Sequence, residues 1–490
     1  MYKHKLLSIF IIFIFSLQVN AQIIEFGQPV KVKNKNSYTQ IIGSNEMGTF
    51  IIRCRDNNFK KNVLIEKFNN KLTIELSKDI PLTIPAFIEK VLLINQQIYV
   101  FISAKNTATN KIDFLVTKLD MNLNQTGGMV LLASVDEMLL NENIDLTINN
   151  SINKKFFSLS FIGKASQNNN EKAALYLYGF DENLLPIYAK TFEINEALND
   201  VGFTKCDIDN EGNFFTLLDF PKTGKKKKKN ENRKFVLYAF YKANENMLEY
   251  DISKPGIEID DLGFVINNIS KQVNIVGFYA IEDEINNSGY FYHTIDLKTT
   301  AVQVNVIDSI SLKLLKEKIS FSKTMDLNDI YIRKIIPRSD GGVFLISEKY
   351  FITRQSYTYY VNGFPQTNTR VVYNYNDVLL LSIKADGSLE IGDVINKEQQ
   401  SVSDGGYYSS ISCFVNNDAI HTIYNADVNQ EGDVLMNKFS VKGKSDNKIL
   451  VKAINASVLI IPTDCKQISA NSFLACTIRD KRFTLMRITF

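Results

Sequence analysis

Tryptophan is absent from this 490-residue chain, and histidine nearly so: of three, only His293 and His421 lie beyond the first 21 residues. Both fall inside apolar runs, which leaves almost no imidazole for a metal site or a Ser-His relay. Aromatic platforms for sugars would have to be built from Tyr and Phe. Cysteine is sparse and odd in number: Cys54, Cys206, Cys413, Cys465 and Cys476. Spread over this length they make no disulfide framework. Cys465 and Cys476 alone are close enough in sequence to be considered for a bridge, and no C-x-x-C or paired Cys/His spacing offers a zinc site.

An excess of charge of one sign is also missing. The chain carries 56 basic against 53 acidic residues, so no broad positive field draws it to nucleic acid or to an anionic membrane. The local exception is "KTGKKKKKNENRK", Lys222 to Lys234, where like charges repel and stay solvated; a hairpin tip is expected there. Long apolar runs are lacking too, apart from Leu6 to Leu17. That run follows Lys3, His4 and Lys5 and ends at the small-residue site Val19-Asn20-Ala21, the pattern of a secretory signal cleaved after Ala21. It is shorter than the ~20 residues of a membrane-spanning helix, and Cys54 lies too far away to carry lipid. The mature chain is expected to begin at Gln22, to have no transmembrane segment, and to reside in the periplasm or be secreted.

What the sequence has is repetition, which at a period of tens of residues fixes an architecture. One unit recurs: a polar turn, an apolar strand, a loop, a second apolar strand ending in charge, a turn at Asp or Asn, and a third strand. It is complete in "CDIDNEGNFFTLLDF" with "KFVLYAFYKANENMLEYDI" (Cys206 to Phe220, Lys234 to Ile252). Seven copies are visible from Gly43 onward. An eighth, "ISANSFLACTIRDKRFTLMRITF", lacks an outer strand that "IIEFGQPVKVK" (Ile23 to Lys33) can supply from the other terminus.

The expected fold is therefore an all-β, eight-bladed β-propeller over residues 22–490, closed by pairing of the N- and C-terminal strands, with seven blades as the alternative. Strands such as "IYVFIS", "FFSLSF" and "VNIVGFYA" are apolar on both faces, as sheets sandwiched between neighbours require. The copies are spaced ~50 to 75 residues apart, against ~40 to 50 in common propeller repeats, which implies long loops. A transmembrane barrel needs alternating strands of ~9 to 11 residues, and most runs here are shorter and do not alternate. In "DSISLKLLKEKIS", Ile310, Leu314, Leu315 and Ile319 share a face, predicting a short helix between blades.

Chemistry-bearing motifs are few. Gly pairs and Asp-Gly at Asp340 to Gly342, Asp386 with Gly387, and Asp404 to Gly406 supply the positive φ of tight turns. In "SDGGYYSSISCF", Tyr407 and Tyr408 are expected to be a packing residue and a rim residue. "DIDNEG" (Asp207, Asp209, Glu211, Gly212) and "DVNQEG" (Asp427, Asn429, Glu431, Gly432) begin like calcium loops, but their twelfth positions are Leu218 and Lys438, so hairpin turns are expected. There is no G-x-S-x-G and no phosphate loop, and nothing brings two carboxylates together. No catalytic residue, metal or cofactor is assigned.

One segment stands apart: "SEKYFITRQSYTYYVNGFPQTNTRVVYNYNDVLLL", an insertion at about 350–375 that reads as two arms around an "NGFPQ" turn. Arms of Tyr, Thr and Arg have the composition of an interface. The candidate partner-binding residues are Tyr357, Tyr359, Tyr360, Phe364, Tyr373 and Tyr375, and the alternative is a hairpin folded back on its own blade.

"DGGVFLISEKYFITR", the Tyr/Thr hairpin, "DVLLLSIKADGSLE" and "SDGGYYSSISCFV" resemble a family of uncharacterised secreted or periplasmic proteins of Bacteroidota, over Ile335 to Tyr424. The resemblance implies a propeller-like exported protein without an assigned activity, and through its lineage an accessory role in a secretion and gliding apparatus. No sorting domain is expected after strands that complete the ring. The function expected is a non-enzymatic, protein-binding scaffold or adaptor in the periplasm or at the outer membrane, its partners being proteins of the cell envelope. Carbohydrate binding and a carboxylate-dependent hydrolase in the funnel are the alternatives.

Overall fold

Every strand of the repeat that reads as apolar on both faces is buried on both faces. Gly48–Cys54 and Phe214–Phe220 have no exposed position, because each lies in a small sheet pressed between two others. The computed structural model describes residues 22–31, 38–82, 84–140, 146–166, 172–220, 233–254, 256–281, 287–310, 327–416, 419–440, 443 and 445–490. The expected export signal, most of the lysine run and the predicted helix beyond Ile310 lie outside these residues.

Among the described residues, eight antiparallel sheets follow one another along the chain. Blades 1 to 7 are four-strand meanders over residues 38–79, 87–136, 147–197, 202–251, 257–309, 330–395 and 412–451. Blade 8 takes its inner strands from 459–489 and its outermost strand, Ile23–Phe26, from the other terminus. That strand pairs antiparallel with Arg482–Thr489 from Ile23↔Thr489 to Phe26↔Met486. The pairing continues through Gly27 N to Leu485 O (2.8 Å) and Val30 N to Phe483 O (2.7 Å). Gly27 is required there, since a Cβ would meet Leu72 O at 2.4 Å. The ring is closed by its two ends, as the sequence pattern anticipates, and among the described residues no sheets merge into a single barrel.

The core is divided among the seams between blades, not gathered at one centre. Phe215, Leu217, Phe264 and Ile275 form one cluster between blades 4 and 5, and Phe101, Phe114, Phe157 and Phe161 another between blades 2 and 3. The closing seam is built alike, from Ile51 and Phe68 of blade 1 against Leu474, Cys476, Phe483 and Leu485 of blade 8. There the Arg53 guanidinium lies 3.7 Å from the Phe483 ring centre. Each fully buried Phe or Leu contributes about 1.5–3 kcal/mol, so stability is distributed around the circle.

The innermost strand of each blade is a sheet edge facing the axis, and its outward backbone groups need partners. Side chains of the neighbouring blade provide them. Lysines do so from alternate blades: Lys90 Nζ donates to Ile148 O (2.5 Å), Lys205 Nζ to Phe264 O (2.7 Å), Lys334 Nζ to Cys413 O (3.1 Å) and Lys466 Nζ to Ile42 O (2.8 Å). Between them, Asn149 Nδ2 donates to Cys206 O (2.8 Å), the Ile332 amide to Asp261 Oδ2 (2.6 Å) and Gln467 Nε2 to Val415 O (2.6 Å). In blades 1, 2, 4, 5 and 6 the inner strand carries a register shift, and the residue after it is Gly43, Lys90, Lys205, Asp261 or Lys334. In blades 2, 4, 5 and 6 the bulge turns that side chain toward the next blade.

Candidate functional site

In a four-strand meander, the hairpin joining the second and third strands opens on the same face as the link to the next blade. Blade 6 exaggerates that hairpin. Its middle strands, Val343–Val361 and Phe364–Ile383, run far beyond the disc as one antiparallel ribbon. The arms turn at Asn362 (φ 51°) and Gly363 (φ 82°), the two successive left-handed residues of a tight hairpin turn. Residues 352–370 are exposed on both faces. The hairpin therefore projects clear of its blade and does not fold back on it; at ~3.4 Å per residue, the eight rungs beyond Thr353 reach about 27 Å.

Register sorts the candidate residues. Opposed pairs share a face, so Tyr357 (against Asn368), Tyr359 (against Gln366) and Phe364 (against Val361) lie together on one side. Tyr360 (against Pro365) and Tyr373 (against Ile352) lie on the other. The Tyr357 and Tyr359 rings are 6.0 Å apart and tilted by 34°, while Tyr360 and Phe364 at the tip are 73% and 71% exposed. Polar side chains on the arms satisfy one another: Arg370 Nε and Nη2 donate to Gln355 Oε1 (2.9 and 2.8 Å), and Asn368 Nδ2 to the Tyr357 hydroxyl (3.1 Å).

Tyr373 and Tyr375 are placed differently from the tip residues with which the sequence grouped them. A third strand, Gln399–Val402, pairs with the root of the ribbon from Tyr375↔Gln399 to Val372↔Val402. Tyr375 is half-buried, its ring 4.6 Å from that of Tyr350 and 5.5 Å from the Arg333 guanidinium. Burial pushes its hydroxyl up to about 12.

Beneath this pair sits a buried charge cluster that has no sequence signature. Glu348 is fully buried. Its Oε2 accepts from Arg333 Nε (2.7 Å) and from the Ser410 hydroxyl (2.6 Å), and its Oε1 faces Lys397 Nζ at 2.8 Å. Lys397 Nζ also donates to Tyr375 O (2.7 Å) and Gln399 Oε1 (3.0 Å). Burial lowers the lysine's pKa, and the Glu348 carboxylate opposes that shift. Buried charges are tolerated only with partners in fixed places, so the cluster pins the ribbon root to the connecting segment, Lys397 to Ser410, that leads into blade 7.

From that root the chain crosses the same face. Asp404 Oδ1 accepts from the Gly406 amide (2.9 Å), and Gly405 and Gly406 adopt φ 71° and 72°. A Cβ on Gly406 would meet the Tyr375 ring at 2.4 Å. Tyr407 then packs edge-on against Tyr38 of blade 1, at 5.3 Å, and against Tyr408 at 5.0 Å. Both tyrosines are half-buried packing residues. The Tyr407 hydroxyl reaches Asp464 Oδ2 (3.4 Å), which also accepts from Thr39 Oγ1 (3.0 Å); burial raises the Asp464 pKa to about 6. Residues 399–411 thus tie blade 6 to blades 7, 8 and 1.

The remaining sequence candidates are occupied by structural tasks. Asp209 Oδ1 accepts from the Glu211 and Asn213 amides at 2.8 Å each, and Asp427 Oδ1 from the Asn429 amide (2.8 Å), so both acidic loops close as turns. The His421 ring stacks on Phe414 at 4.6 Å, and burial, with Lys438 and Lys448 nearby, lowers its pKa to about 4. Burial likewise lowers the pKa of His293. The five cysteines are free; Cys465 Sγ donates to Ile461 O (3.3 Å), and no bridge to Cys476 is present. Among the described residues no three His, Cys, Asp or Glu side chains cluster for a metal, and no helix is long and apolar enough to cross a membrane. A groove of ≈ 400 Å³ between blades 6 and 7 holds Arg338, whose guanidinium is already paired with Asp340 (2.6 Å) and Glu390 (2.5 Å).

No family model matches the sequence, and no curated protein matches it. Among solved structures, the WD40 domain of SCAP from fission yeast is similar at 9% identity and a TM-score of 0.38, covering 96% of this chain and 98% of that one. Prolyl oligopeptidase B from Galerina marginata is similar at 8% identity and a TM-score of 0.40, over 90% of this chain and 55% of the enzyme, so the chain spans about half its length. Putative TolB from Agrobacterium tumefaciens is similar at 10% identity and a TM-score of 0.25, over 59% and 88%. Likenesses of this strength carry no functional argument, and the eight-bladed ring stands on the chain's own strand pairing.

Proposed function

We propose that this chain is an exported, non-enzymatic scaffold that holds a protein of the cell envelope on the blade 6 ribbon, in the periplasm or at the outer membrane. The observation that carries the reading is the continuous exposure of residues 352–370 on both faces, with Tyr357, Tyr359, Tyr360 and Phe364 among them. A two-stranded ribbon in water is marginally stable on its own, and this one spends its sequence on large, stiff aromatics that lose little entropy on contact. Its root is anchored by the Glu348 cluster, so the arm is presented from a rigid base. Tyr373 and Tyr375 belong to that base. The leader-like first 21 residues support export, and the resemblance to Bacteroidota proteins supports the envelope setting and an accessory role in secretion or gliding.

The paired rings of Tyr357 and Tyr359 favour a second reading, stacking on a polysaccharide, although their 34° tilt suits a flat glycan poorly. One experiment separates the two. Residues 22–490 are immobilised beside a variant in which 354–371 are replaced by Asn-Gly, joining Thr353 to Val372 in the register that Val361 and Phe364 now hold. The account expects an envelope protein to be retained by the full chain and lost from the variant. Retention of that protein by both contradicts the reading, and ribbon-dependent retention of soluble polysaccharide alone replaces it with the second.

A further inference from the structure

We propose that the ribbon engages its partner by strand addition: an extended, carboxylate-bearing segment of the partner pairs with the open edge of residues 364–371 and continues the ladder begun by Gln399–Val402. This rests on the scaffold reading above and names how the partner is held.

The edge is already used by the chain itself. Gln399–Val402 adds to it over four residues, and the Ser403 amide makes the last bond, to Val371 O at 2.9 Å. Ser403 then takes φ 54° and the chain turns away through Asp404 to Gly406. The ladder stops because the added strand leaves, while the edge it occupied runs on. Among the described residues, no strand pairs with 364–371 on that side.

Alternation identifies the open groups. In an antiparallel pair every second residue directs its N–H and C=O away from its partner strand. Val371 O points outward to Ser403, so Thr369 and Thr367 point outward as well, and Pro365 contributes only a carbonyl. Their side chains are engaged across the ribbon, Thr369 Oγ1 with Ser356 Oγ at 2.9 Å and Thr367 Oγ1 with Thr358 Oγ1 at 3.3 Å. What remains is backbone, and an unpaired strand edge pairs with any extended chain that can reach it.

Charge selects the occupant. Residues 350–375 contain Arg354 and Arg370 and no Asp, Glu or Lys. A carboxylate beside Arg370 completes a charge-assisted contact that Gln355 serves only in part. A second copy of this chain would instead bring four guanidinium groups together with no carboxylate.

The test uses proline, which removes an outward N–H without breaking a bond inside the ribbon. Residues 22–490 carrying both Thr367→Pro and Thr369→Pro are compared with wild type for binding to the purified protein that the capture experiment retains. Wild-type complex is also examined by amide hydrogen exchange. Strand addition predicts at least a tenfold loss of affinity for the double variant, at least a tenfold loss for Arg370→Glu, and slowed exchange at Thr367 and Thr369 in the wild-type complex. Gln366→Pro, which removes a bond to Tyr359, serves as the control that disrupts the ribbon itself. Unslowed exchange at Thr367 and Thr369 in the complex overturns the inference whatever the variants do. Full binding by the double proline variant, with loss on changing Tyr357 and Tyr359 to Ser, also overturns it and leaves the scaffold reading standing as side-chain docking. A ribbon-dependent dimer of the chain, seen by light scattering and abolished by the prolines, overturns the choice of occupant. Unchanged capture after removal of the ribbon defeats the scaffold reading itself.

Discussion

The single strand Val343–Val361 has one stretch that is fully buried and another that is exposed throughout. Leu345 and Ile346 are sealed between blade 6 and its two neighbours, whereas Tyr357 to Val361 contact water on both sides. Both parts are extended strand, joined across a register shift between Glu348 and Tyr350; what changes is whether other sheets flank it. The disc half is specified by packing against blades 5 and 7. The ribbon half is specified by its turn, by cross-strand pairs and by the charge cluster at its root. Residues that share one secondary structure are thus placed for unrelated work: stability belongs to the flanked part, and the recognition we propose to the part left bare.

That contrast can be broken most forcefully at the root. Glu348→Ala leaves Lys397 buried without its counter-charge, and removal of one member of such a pair costs about 3–5 kcal/mol; denaturant unfolding measures it, and a loss below about 1 kcal/mol would mean that solvent reaches the cluster. Leu345→Ala, in the flanked half of the strand, should cost about 2–5 kcal/mol by the same measurement, through lost burial and the cavity left behind.

A pH series sharpens the comparison next. His421 is lowered to about 4 in the folded chain, against ~6.5 when unfolded. The unfolded state therefore binds the proton first, and stability present above pH ~6.5 drains away as pH falls toward 4, by up to about 3 kcal/mol. His421→Phe should remove that slope. Asp464, raised to about 6, has the opposite sign: the folded state binds its proton first, so this carboxyl destabilises at neutral pH and the deficit shrinks as pH falls below 6. Asp464→Asn should raise stability at pH 7 and steepen the remaining acid loss. Neither group touches the ribbon, so its capture of a partner should not follow these slopes.

The smallest effect is expected at the bare end. Tyr359→Ala removes a half-exposed ring whose contacts lie within the ribbon and should change unfolding free energy by less than about 0.5 kcal/mol, while weakening partner capture several-fold. A large stability loss there would show that the ring packs on the disc.

Much of this division was legible in the sequence, and the reason is physical. Strands flanked on both sides must be apolar on both faces, so the second and third strands of each blade, such as Gln97–Asn106 and Phe156–Lys164, announce themselves. The closing strand Ile23–Phe26 is readable because the last copy of the repeat comes up one strand short. Inner strands are not readable: they face the axis, carry bulges, and place Lys90, Lys205, Asp261 or Lys334 where a repeat would show an apolar residue. The Glu348 cluster leaves no spacing to find, because Arg333, Lys397 and Ser410 reach it from three separate elements. For the same reason Tyr373 and Tyr375 look like Tyr357 and Tyr359 in sequence. Only the long-range addition of Gln399–Val402 makes them part of the base.

The central claim, that binding belongs to the bare ribbon and the disc supplies only the mount, is tested most directly by amide hydrogen exchange of the chain with and without its captured envelope protein. The account predicts slowed exchange confined to residues 351–371. Protection concentrated instead around Tyr38, Tyr407 and the lysine-bearing inner strands, with the ribbon unchanged, would contradict it.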